Sequence, residues 1–274
     1  MDLSLEEFHS LRDLVYERSG IFFEDKKIYF LKKRMENRIQ QMGLNSPTDY
    51  YRYIKYSSGN GEVMKFVELL TTNETYFFRE IQQLNAFSDE ALPMIEAEKR
   101  QTNNYAINIW SAGCSTGEEP YTLAILLKEH LKDMARWKIN IYGTDINNTV
   151  LESAQYGHYS PRSVKDVPPE YLSKYFYKEG GDYCISDEIK GMIAFKTINL
   201  VERNQMRGFR NIDFVFCRNV LIYFDDNSRK TAVNYFYDSM TKGGFIFLGH
   251  SESVGRISAA FKLLRLKNGL VYRK

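Results

Sequence analysis

The stretch AINIWSAGCSTGEEP, residues 106–120, decides the fold. Its apolar start, Ala106–Ala112, predicts a short buried strand. Gly113 and Gly117 then form a turn, and Pro120 opens a helix, where a missing N–H costs nothing. A strand that enters a helix through a glycine turn is typical of an open α/β sheet. The spacing G-x-x-x-G, with no Gly-Lys-Ser/Thr after it, disfavours a dinucleotide fingerprint and a phosphate loop.

The rest of the chain after residue 105 alternates strands with helices. Such alternation indicates a mostly parallel sheet with helical crossovers. Asn268-Gly269 lies between two apolar runs and predicts an antiparallel hairpin at the C-terminus. The further predicted strands are Lys138–Asp145, Met192–Ile198, Asp213–Asn219, Gly243–His250 and the hairpin within Lys262–Lys274.

The first 72 residues carry helical patterns only. Ser4 and Glu7 form a capping box, and a helix from about Asp25 to Met42 ends at Gly43. We therefore predict a helical domain over residues 1–72 and an α/β domain over residues 73–274. Over forty residues separate the second strand from the third, more than a crossover needs. The excess predicts an inserted β-subdomain at about residues 174–192, with a hairpin at Gly180-Gly181.

Composition excludes several classes of protein. The 274 residues are 43% apolar and 26% charged, with a net charge of +2, as in an ordinary globular protein. Three widely spaced cysteines without a C-x-x-C pattern argue against a disulfide scaffold and a structural zinc site. The acidic start MDLSLEEF and the lack of a long apolar run argue against export and membrane insertion, so a cytoplasmic location is expected.

Acidic side chains mark the ends of the first two predicted strands. Glu118 and Glu119 at the start of a helix would repel a pyrophosphate and suit an ammonium group, or they only complement the helix dipole. Asp145 can accept hydrogen bonds from both hydroxyls of a ribose, or it caps the next helix. If these acids bind a ligand, they describe a site for a nucleoside that carries no phosphates. S-adenosylmethionine is the commonest cofactor of this kind.

Two further segments combine polar groups with aromatics. In TTNETYFFRE, residues 71–80, the aromatics are typical of core packing on a capped helix. Arg79 there can pair with a cofactor carboxylate or form a surface salt bridge. In FCRNVLIYFD, residues 216–225, Arg218 and Asn219 leave the end of a strand and Tyr223 follows. Ligands bind at such strand ends in open sheets, although a purely structural Arg218 is the alternative.

Together, TTNETYFFRE, SAGCSTGEEPYTLA, GTDIN, INL, FCRNVLIYFD and GHSES resemble the chemotaxis-receptor protein-glutamate O-methyltransferases, the CheR family, over about residues 71–253. The resemblance implies a class I S-adenosylmethionine-dependent methyltransferase fold. This fold is Rossmann-like, with an N-terminal all-α domain and a small inserted β-subdomain. The glycine loop at Lys178–Tyr183 is shorter than in members that dock on a receptor C-terminal peptide, so we expect no such tether.

The resemblance also implies an activity and a set of site residues. The enzyme would methylate glutamates on the cytoplasmic helical bundle of chemoreceptors in sensory adaptation, as a monomer recruited to receptor arrays at the membrane. It would use S-adenosylmethionine, release S-adenosylhomocysteine and need no metal. Arg218 and Tyr223 would lie beside the reacting centre. Cofactor contacts would fall on Asn73, Thr75, Arg79, Glu119, Asp145, Asn199, Leu200, Arg218 and Asn219.

The second predicted helix carries a local basic patch. Residues 26–38 hold six basic side chains and one acidic one, whereas residues 1–70 hold eleven of each. Lys33, Arg34 and Arg38 are therefore candidate substrate-binding residues that steer acidic receptor helices, or part of a solvated helix face. No stacking aromatics alternate with these charges, which disfavours nucleic acid as the partner.

Two other functions compete with protein methylation. A module that only binds the nucleoside as a signal would tolerate loss of Arg218 and Tyr223, yet both are present. A nucleic-acid N-methyltransferase typically has an Asn/Asp-Pro-Pro-aromatic segment where this chain has Cys217-Arg218-Asn219-Val220. We rank both below the protein methyltransferase.

Overall fold

A computed structural model describes residues 3–57, 61–253 and 258–274. The chain divides into two units, Met1–Thr72 with Ile222–Arg229, and Asn73–Leu221 with Lys230–Lys274. The division falls at residues 72 and 73, and the first unit also takes a segment from far along the chain. Within the described residues, no helix combines the length and apolar character that crossing a membrane requires.

The first unit is helical over its described residues. Its helices are α1 (Leu5–Ser19), α2 (Ile28–Met42), α3 (Pro47–Arg52) and α4 (Gly61–Leu70), with a 3₁₀ turn at Asp25–Lys27 and a π-helical turn at Tyr53–Ser57. The predicted capping box is confirmed, because Ser4 Oγ accepts from Glu7 N and Glu7 Oε2 accepts from Ser4 N. Gly43 ends α2 at φ +66°, in the left-handed region that glycine reaches at least cost.

Residues Ile222–Arg229 complete the first unit. Ile21 and Phe224 form an antiparallel bridge, and Phe22 N donates to the carbonyl of Tyr223 at 3.0 Å. The Tyr16 hydroxyl lies 3.1 and 3.2 Å from the two oxygens of the Asp225 carboxylate. The helical unit is therefore built from two separate stretches of the chain.

The second unit contains a seven-stranded sheet in the order β6-β2-β1-β7-β8-β10-β9. Strands β6, β2, β1, β7 and β8 pair in parallel, and β10 pairs antiparallel with β8 and β9. The predicted parallel sheet with a C-terminal hairpin is confirmed. The strands are β1 (Ala106–Ala112), β2 (Lys138–Asp145), β3 (His158–Tyr159), β4 (Phe176–Glu179), β5 (Asp182–Ile185), β6 (Ile193–Thr197), β7 (Ile212–Cys217), β8 (Met240–Leu248), β9 (Lys262–Leu266) and β10 (Gly269–Arg273).

Helices accompany this sheet, as parallel strands buried on both faces require. All six residues of β7 are buried. Phe87, in a π-helical turn at Phe87–Ala91, meets Phe216 edge-on at 5.3 Å, and Phe216 stacks on Phe247 at 4.5 Å between ring centroids. The helices are α5 (Ile81–Ala86), α6 (Leu92–Gln101), α7 (Glu118–His130), α8 (Asn148–Tyr156), α9 (Pro169–Tyr175), α10 (Asp187–Lys190), α11 (Arg203–Met206) and α12 (Asp226–Ser239), with 3₁₀ turns at Met134–Arg136 and Leu221–Tyr223.

A second, three-stranded sheet has the order β3-β5-β4 and is antiparallel throughout. Strands β4 and β5 form a hairpin around Gly180 and Gly181, at φ +58° and +101°. Both strands fall in the region predicted to hold an inserted β-subdomain. Strand β3 lies upstream of that region and follows α8 after Gly157.

Two expectations about local structure are wrong. Residues 71–80 form an extended segment and a turn rather than a capped helix, although Phe77 and Phe78 are buried in the core of the second unit. Strand β8 starts at Met240 rather than Gly243, because Met240 already pairs with Ile212 ahead of an irregularity in the β7–β8 ladder. An apolar pattern cannot reveal a strand that continues through such a bulge.

Candidate functional site

The carboxyl ends of the central strands lie at one level of the sheet. Ala112 at the end of β1 pairs with Thr144, and Asp145 at the end of β2 pairs with Thr197 of β6. Strand β7 ends on the other side of β1, where Ser111 pairs with Phe216. The order of the strands reverses between β1 and β7, which is where ligands bind in open α/β sheets.

The loop after β1 folds across the end of β2. The amides of Gly113 and Cys114 both donate to the carbonyl of Thr144, at 2.7 and 2.9 Å. Gly113 has φ +77°, and a Cβ there would lie 2.4 Å from Cγ2 of Val220. Only glycine fits this position, so the predicted glycine turn has a steric cause as well as a conformational one.

Asp145 is buried where this loop meets β2. Its Oδ2 accepts from the amide of Ser115 at 2.9 Å, and its Oδ1 accepts from the amide of Asn147 at 3.0 Å. The helix-cap alternative is wrong, because Asn147 caps α8 by accepting from Val150 N. Two backbone N–H donors therefore hold the Asp145 carboxylate in place at the end of β2.

Glu118 and Glu119 have different surroundings at the start of α7. Glu118 accepts from Thr116 Oγ1 at 2.6 Å, and Glu119 Oε1 accepts from Ser111 Oγ at 2.6 Å. Burial raises the pKa of both carboxyl groups, and the charge of Arg218 opposes this rise at Glu119. Glu119 is thus the acid that faces the charged groups of the site.

Arg218 lies at the centre of a buried ion cluster, with a side chain only 3% exposed. Its Nε is 3.4 Å from Glu119 Oε2 and 3.6 Å from Glu80 Oε2, and its Nη2 donates to the carbonyl of Arg79 at 2.6 Å. These contacts place four predicted or neighbouring site residues in one cluster. Glu80 is a member that the sequence analysis did not single out.

Several buried polar atoms beside this cluster have no hydrogen-bond partner among the described residues. They are Arg218 Nε, Glu80 Oε2 and Asn219 Oδ1. Buried polar groups are ordinarily paired, because an unpaired one costs about 1–3 kcal/mol. Arg218 Nε and Glu80 Oε2 lie 3.6 Å apart as an ion pair without hydrogen-bond geometry, whereas Asn219 Oδ1 has acceptor capacity left for a bound ligand.

The remaining predicted cofactor residues lie on loops of the same unit. The Asn73 carbonyl accepts from Ser115 Oγ at 3.1 Å, which joins the segment 71–80 to the β1 loop. Arg79 Nη1 donates to the carbonyl of Glu74 at 2.9 Å, and Thr75 is half-buried in the same segment. Asn199 and Leu200 follow β6, where Asn199 Oδ1 accepts from Val201 N at 3.1 Å and Leu200 is buried.

Tyr223 belongs to the first unit rather than to the unit that contains Arg218. It ends the 3₁₀ turn Leu221–Tyr223 and is half-buried. Its role at the reacting centre stays a prediction.

The predicted basic face lies on α2 of the first unit. Lys33 is exposed, and the Arg34 guanidinium packs over the Phe30 ring at 4.4 Å from its centroid. Arg38 makes a two-pronged ion pair with the buried Glu62, with both N–O distances 2.8 Å, and Tyr50 donates to the same carboxylate. The charge of Arg38 is therefore engaged inside the helical unit, whereas Lys33 is exposed and Arg34 is half-buried against Phe30.

Glu252, in the GHSES segment, is a residue to which the sequence analysis gave no role. Its Oε2 accepts from the amides of Asn219 and Gly249 at 2.8 and 2.7 Å, and its Oε1 accepts from the amide of Val220 at 3.0 Å. No sequence pattern signals the contact with Asn219 and Val220, because both lie more than thirty positions before Glu252.

The site is suited to holding and aligning charged groups. The thiols nearest to it, Cys114 and Cys217, are buried, and burial raises the pKa of both well above the usual range. Neither is a thiolate nucleophile near neutral pH. The described loops instead offer carboxylates, a guanidinium and amides at the ends of β1, β2, β6 and β7.

Comparisons with known proteins agree with this arrangement. The sequence model described as "CheR methyltransferase, SAM binding domain" matches residues 73–270, and "CheR methyltransferase, all-alpha domain" matches residues 6–71. A protein of Vibrio cholerae named chemotaxis protein methyltransferase 2 is 40% identical over 269 residues, which are 98% of this chain and 92% of that protein.

Two further relatives carry the same kind of name. The chemotaxis protein methyltransferase of Borreliella burgdorferi is 32% identical over 256 residues, covering 93% of this chain and 90% of the relative. That of Escherichia coli is 32% identical over 266 residues, covering 95% of this chain and 89% of the relative. These matches confirm the predicted fold class and span both units.

Proposed function

Because the chain belongs to the CheR methyltransferase family, we propose that it transfers the methyl group of S-adenosylmethionine to glutamate carboxylates of chemoreceptors. The observation that carries the proposal is the buried Arg218 between Glu119 and Glu80, with the buried Asn219 Oδ1 beside it lacking a hydrogen-bond partner among the described residues. The reaction takes place on the cytoplasmic side of receptor arrays, where the proposed substrate helices lie.

The residues present fit the cofactor. Asp145 would hold the ribose hydroxyls, and Glu119 would hold the ammonium group with a carboxylate already fixed by Ser111. Arg79 would hold the cofactor carboxylate, and the buried Asn219 Oδ1 has hydrogen-bonding capacity left for a ligand. Asn73, Thr75, Asn199 and Leu200 would complete the binding loops. When bound, S-adenosylmethionine supplies a methyl group already activated on a positively charged sulfur.

The chain itself needs only to position the acceptor. A glutamate with an ordinary pKa of about 4.3 is ionised at neutral pH, so no general base is required. Arg218 would orient the acceptor carboxylate, with Tyr223 fixing its second oxygen. The charge of Arg218 is balanced by two partly buried acids, so it would align the acceptor without neutralising it. Alignment of this kind contributes several kcal/mol to catalysis.

Receptor recognition would rest on Lys33 and Arg34. Both lie on α2 in the basic stretch of residues 26–38. Exposed positive charge attracts acidic helices over about one Debye length, roughly 10 Å at moderate salt. Arg38 would support this face by holding α2 against Glu62 of α4.

Transfer of a tritiated methyl group to receptor-containing membranes tests the proposal. Carboxyl methyl esters release labelled methanol in alkali, whereas N-methyl groups are retained. We expect alkali-labile label on the receptor and none on membranes that lack it. Alkali-stable label, or label on added nucleic acid instead of receptor, would overturn the proposed substrate.

A further inference from the structure

The side chain of Glu252 joins two loops at the carboxyl end of the sheet. One carboxylate accepts three backbone N–H groups, from Asn219 and Val220 after β7 and from Gly249 after β8. Hydrogen bonds to an ionised acceptor are about twice as strong as neutral ones. A single side chain thus sets the backbone that carries Arg218 and Asn219.

Two local features show how closely these loops approach each other. Asn219 has φ +62°, a left-handed conformation that costs energy for a residue other than glycine. A Cβ on Gly249 would lie 2.8 Å from Glu252 Oε2 and 2.9 Å from the Asn219 amide nitrogen. The contact therefore requires glycine at 249, and the strained Asn219 needs the acceptor at 252.

We propose that Glu252 is a positioning residue for methyl transfer, which holds Arg218 and Asn219 in their working geometry without touching cofactor or acceptor. This inference rests on the proposed function of the site. A carboxylate is required rather than any polar group, because all three of its partners are donors. In Glu252→Gln, the side-chain NH₂ group would face at least one of these N–H groups and, being a donor itself, could not accept a hydrogen bond from it.

The test combines kinetics with hydrogen exchange on the full chain. Glu252→Gln should lower kcat about 10- to 100-fold, the effect of misplacing a catalytic group by about 1 Å, and leave the KM for receptor within about twofold. The amides of Asn219, Val220 and Gly249 should exchange faster, with the rest of the chain unchanged. Ser251→Ala, an exposed change in the same turn, is the matched control and should behave as wild type.

Two outcomes would overturn the inference. Faster exchange at these amides with unchanged kcat would make Glu252 merely structural, and unchanged exchange would remove the contact itself. A wild-type chain that methylates no receptor would defeat the proposed function instead. In that case, slower exchange of the same amides on adding S-adenosylhomocysteine, seen in wild type and lost in Glu252→Gln, would still support the positioning role.

A different observation concerns the three-stranded sheet. His158 and Cys184 are directly paired on β3 and β5, and Glu179 lies on the same face of β4, two residues from the partner of Cys184. Cys184 Sγ is 3.4 Å and His158 Nε2 is 3.7 Å from Glu179 Oε2. One ligand atom from each residue lies within 4.8 Å of the others.

The two separations from Glu179 Oε2 are close to the edges of a tetrahedral zinc site. Bonds of about 2.3 Å to sulfur and about 2.0–2.2 Å to nitrogen and oxygen give edges of roughly 3.4–3.6 Å. We infer that His158, Glu179 and Cys184 bind a zinc-class divalent cation, with water in the fourth position. On binding, the Cys184 thiol loses its proton to solvent and its sulfur bonds the metal. Ligands drawn from three strands have no short sequence motif, which explains their absence from the sequence analysis.

Titration of the purified chain with Co²⁺ tests this site. A thiolate-to-cobalt absorption band is expected, which Zn²⁺ should displace and Cys184→Ser should abolish. Asp182→Asn, an exposed change on the same sheet face, should retain the band. No band, or an equal band in Cys184→Ser, would overturn the inference, and neither result depends on methyl transfer.

Discussion

Glu119→Gln is the sharpest test of the cofactor site. The substitution keeps the size of a partly buried side chain whose Oε1 accepts from Ser111, and removes the negative charge beside Arg218. A hydrogen bond to a charged group is worth about 1.5–3 kcal/mol, so loss of the proposed pairing with the cofactor ammonium should weaken S-adenosylmethionine binding about 10- to 150-fold.

The pH dependence of binding gives a second, independent readout. Burial raises the pKa of Glu119 above that of an exposed glutamate. Only the ionised form attracts an ammonium group, so the Kd of the wild type should rise as pH falls through this raised pKa. In Glu119→Gln no proton is taken up at that position, and the Kd should lose this part of its pH dependence.

Titration calorimetry with S-adenosylmethionine and S-adenosylhomocysteine over a range of pH measures both effects. The neighbouring Glu118 offers a matched control, because it is a glutamate of the same helix turn that accepts from Thr116 and has no ion pair with Arg218 among the described contacts. Glu118→Gln should bind both ligands within about threefold of wild type, below the loss of one charged hydrogen bond. Equal affinity of Glu119→Gln and wild type at neutral pH would refute the assignment.

Arg218→Ala should cut methyl transfer far more than S-adenosylmethionine binding, measured by label transfer and calorimetry, and an equal loss of both would count against a role in orienting the acceptor. Reversing the charge of Lys33 and Arg34 should raise the KM for receptor up to about tenfold at low salt and less at high salt, because each exposed ion pair with the receptor contributes about 0.2–1 kcal/mol. A KM that does not change with salt would argue against electrostatic steering. Lys99→Met leaves Asp213, which is 1% exposed, without the ion-pair partner that lies 2.9 Å away, and should lower the unfolding free energy measured in urea by about 3–5 kcal/mol. Adding Asp213→Asn should recover part of this loss, and an unchanged urea midpoint of unfolding would contradict the prediction.

The sequence predicts those parts of the fold that depend on local patterns. Strands β1 and β2 occur at the predicted residues, because each carries isoleucines at alternate positions and is bounded by turn signals. The capping box at Ser4 and the stop at Gly43 are local hydrogen-bonding motifs and are confirmed. The start of β8 was missed because its first pairing depends on an irregular ladder with β7.

Long-range polar contacts were beyond the reach of these patterns. The sequence offered Arg38 as a free surface cation, but its pairing with Glu62 joins two helices 24 residues apart. Glu80 and Glu252 meet their partners across more than thirty residues of chain. Such contacts depend on tertiary packing, and no spacing rule brings them together.

The passage of Ile222–Arg229 into the helical unit affects how this protein can be divided. A helical fragment that ends at Thr72 would lack Phe224, the bridge partner of Ile21, and the Asp225 carboxylate that Tyr16 contacts. A chimera that takes only residues 1–72 from a relative would therefore combine two different halves of one packing arrangement. Exchange of the helical unit between relatives requires both stretches to be transplanted together.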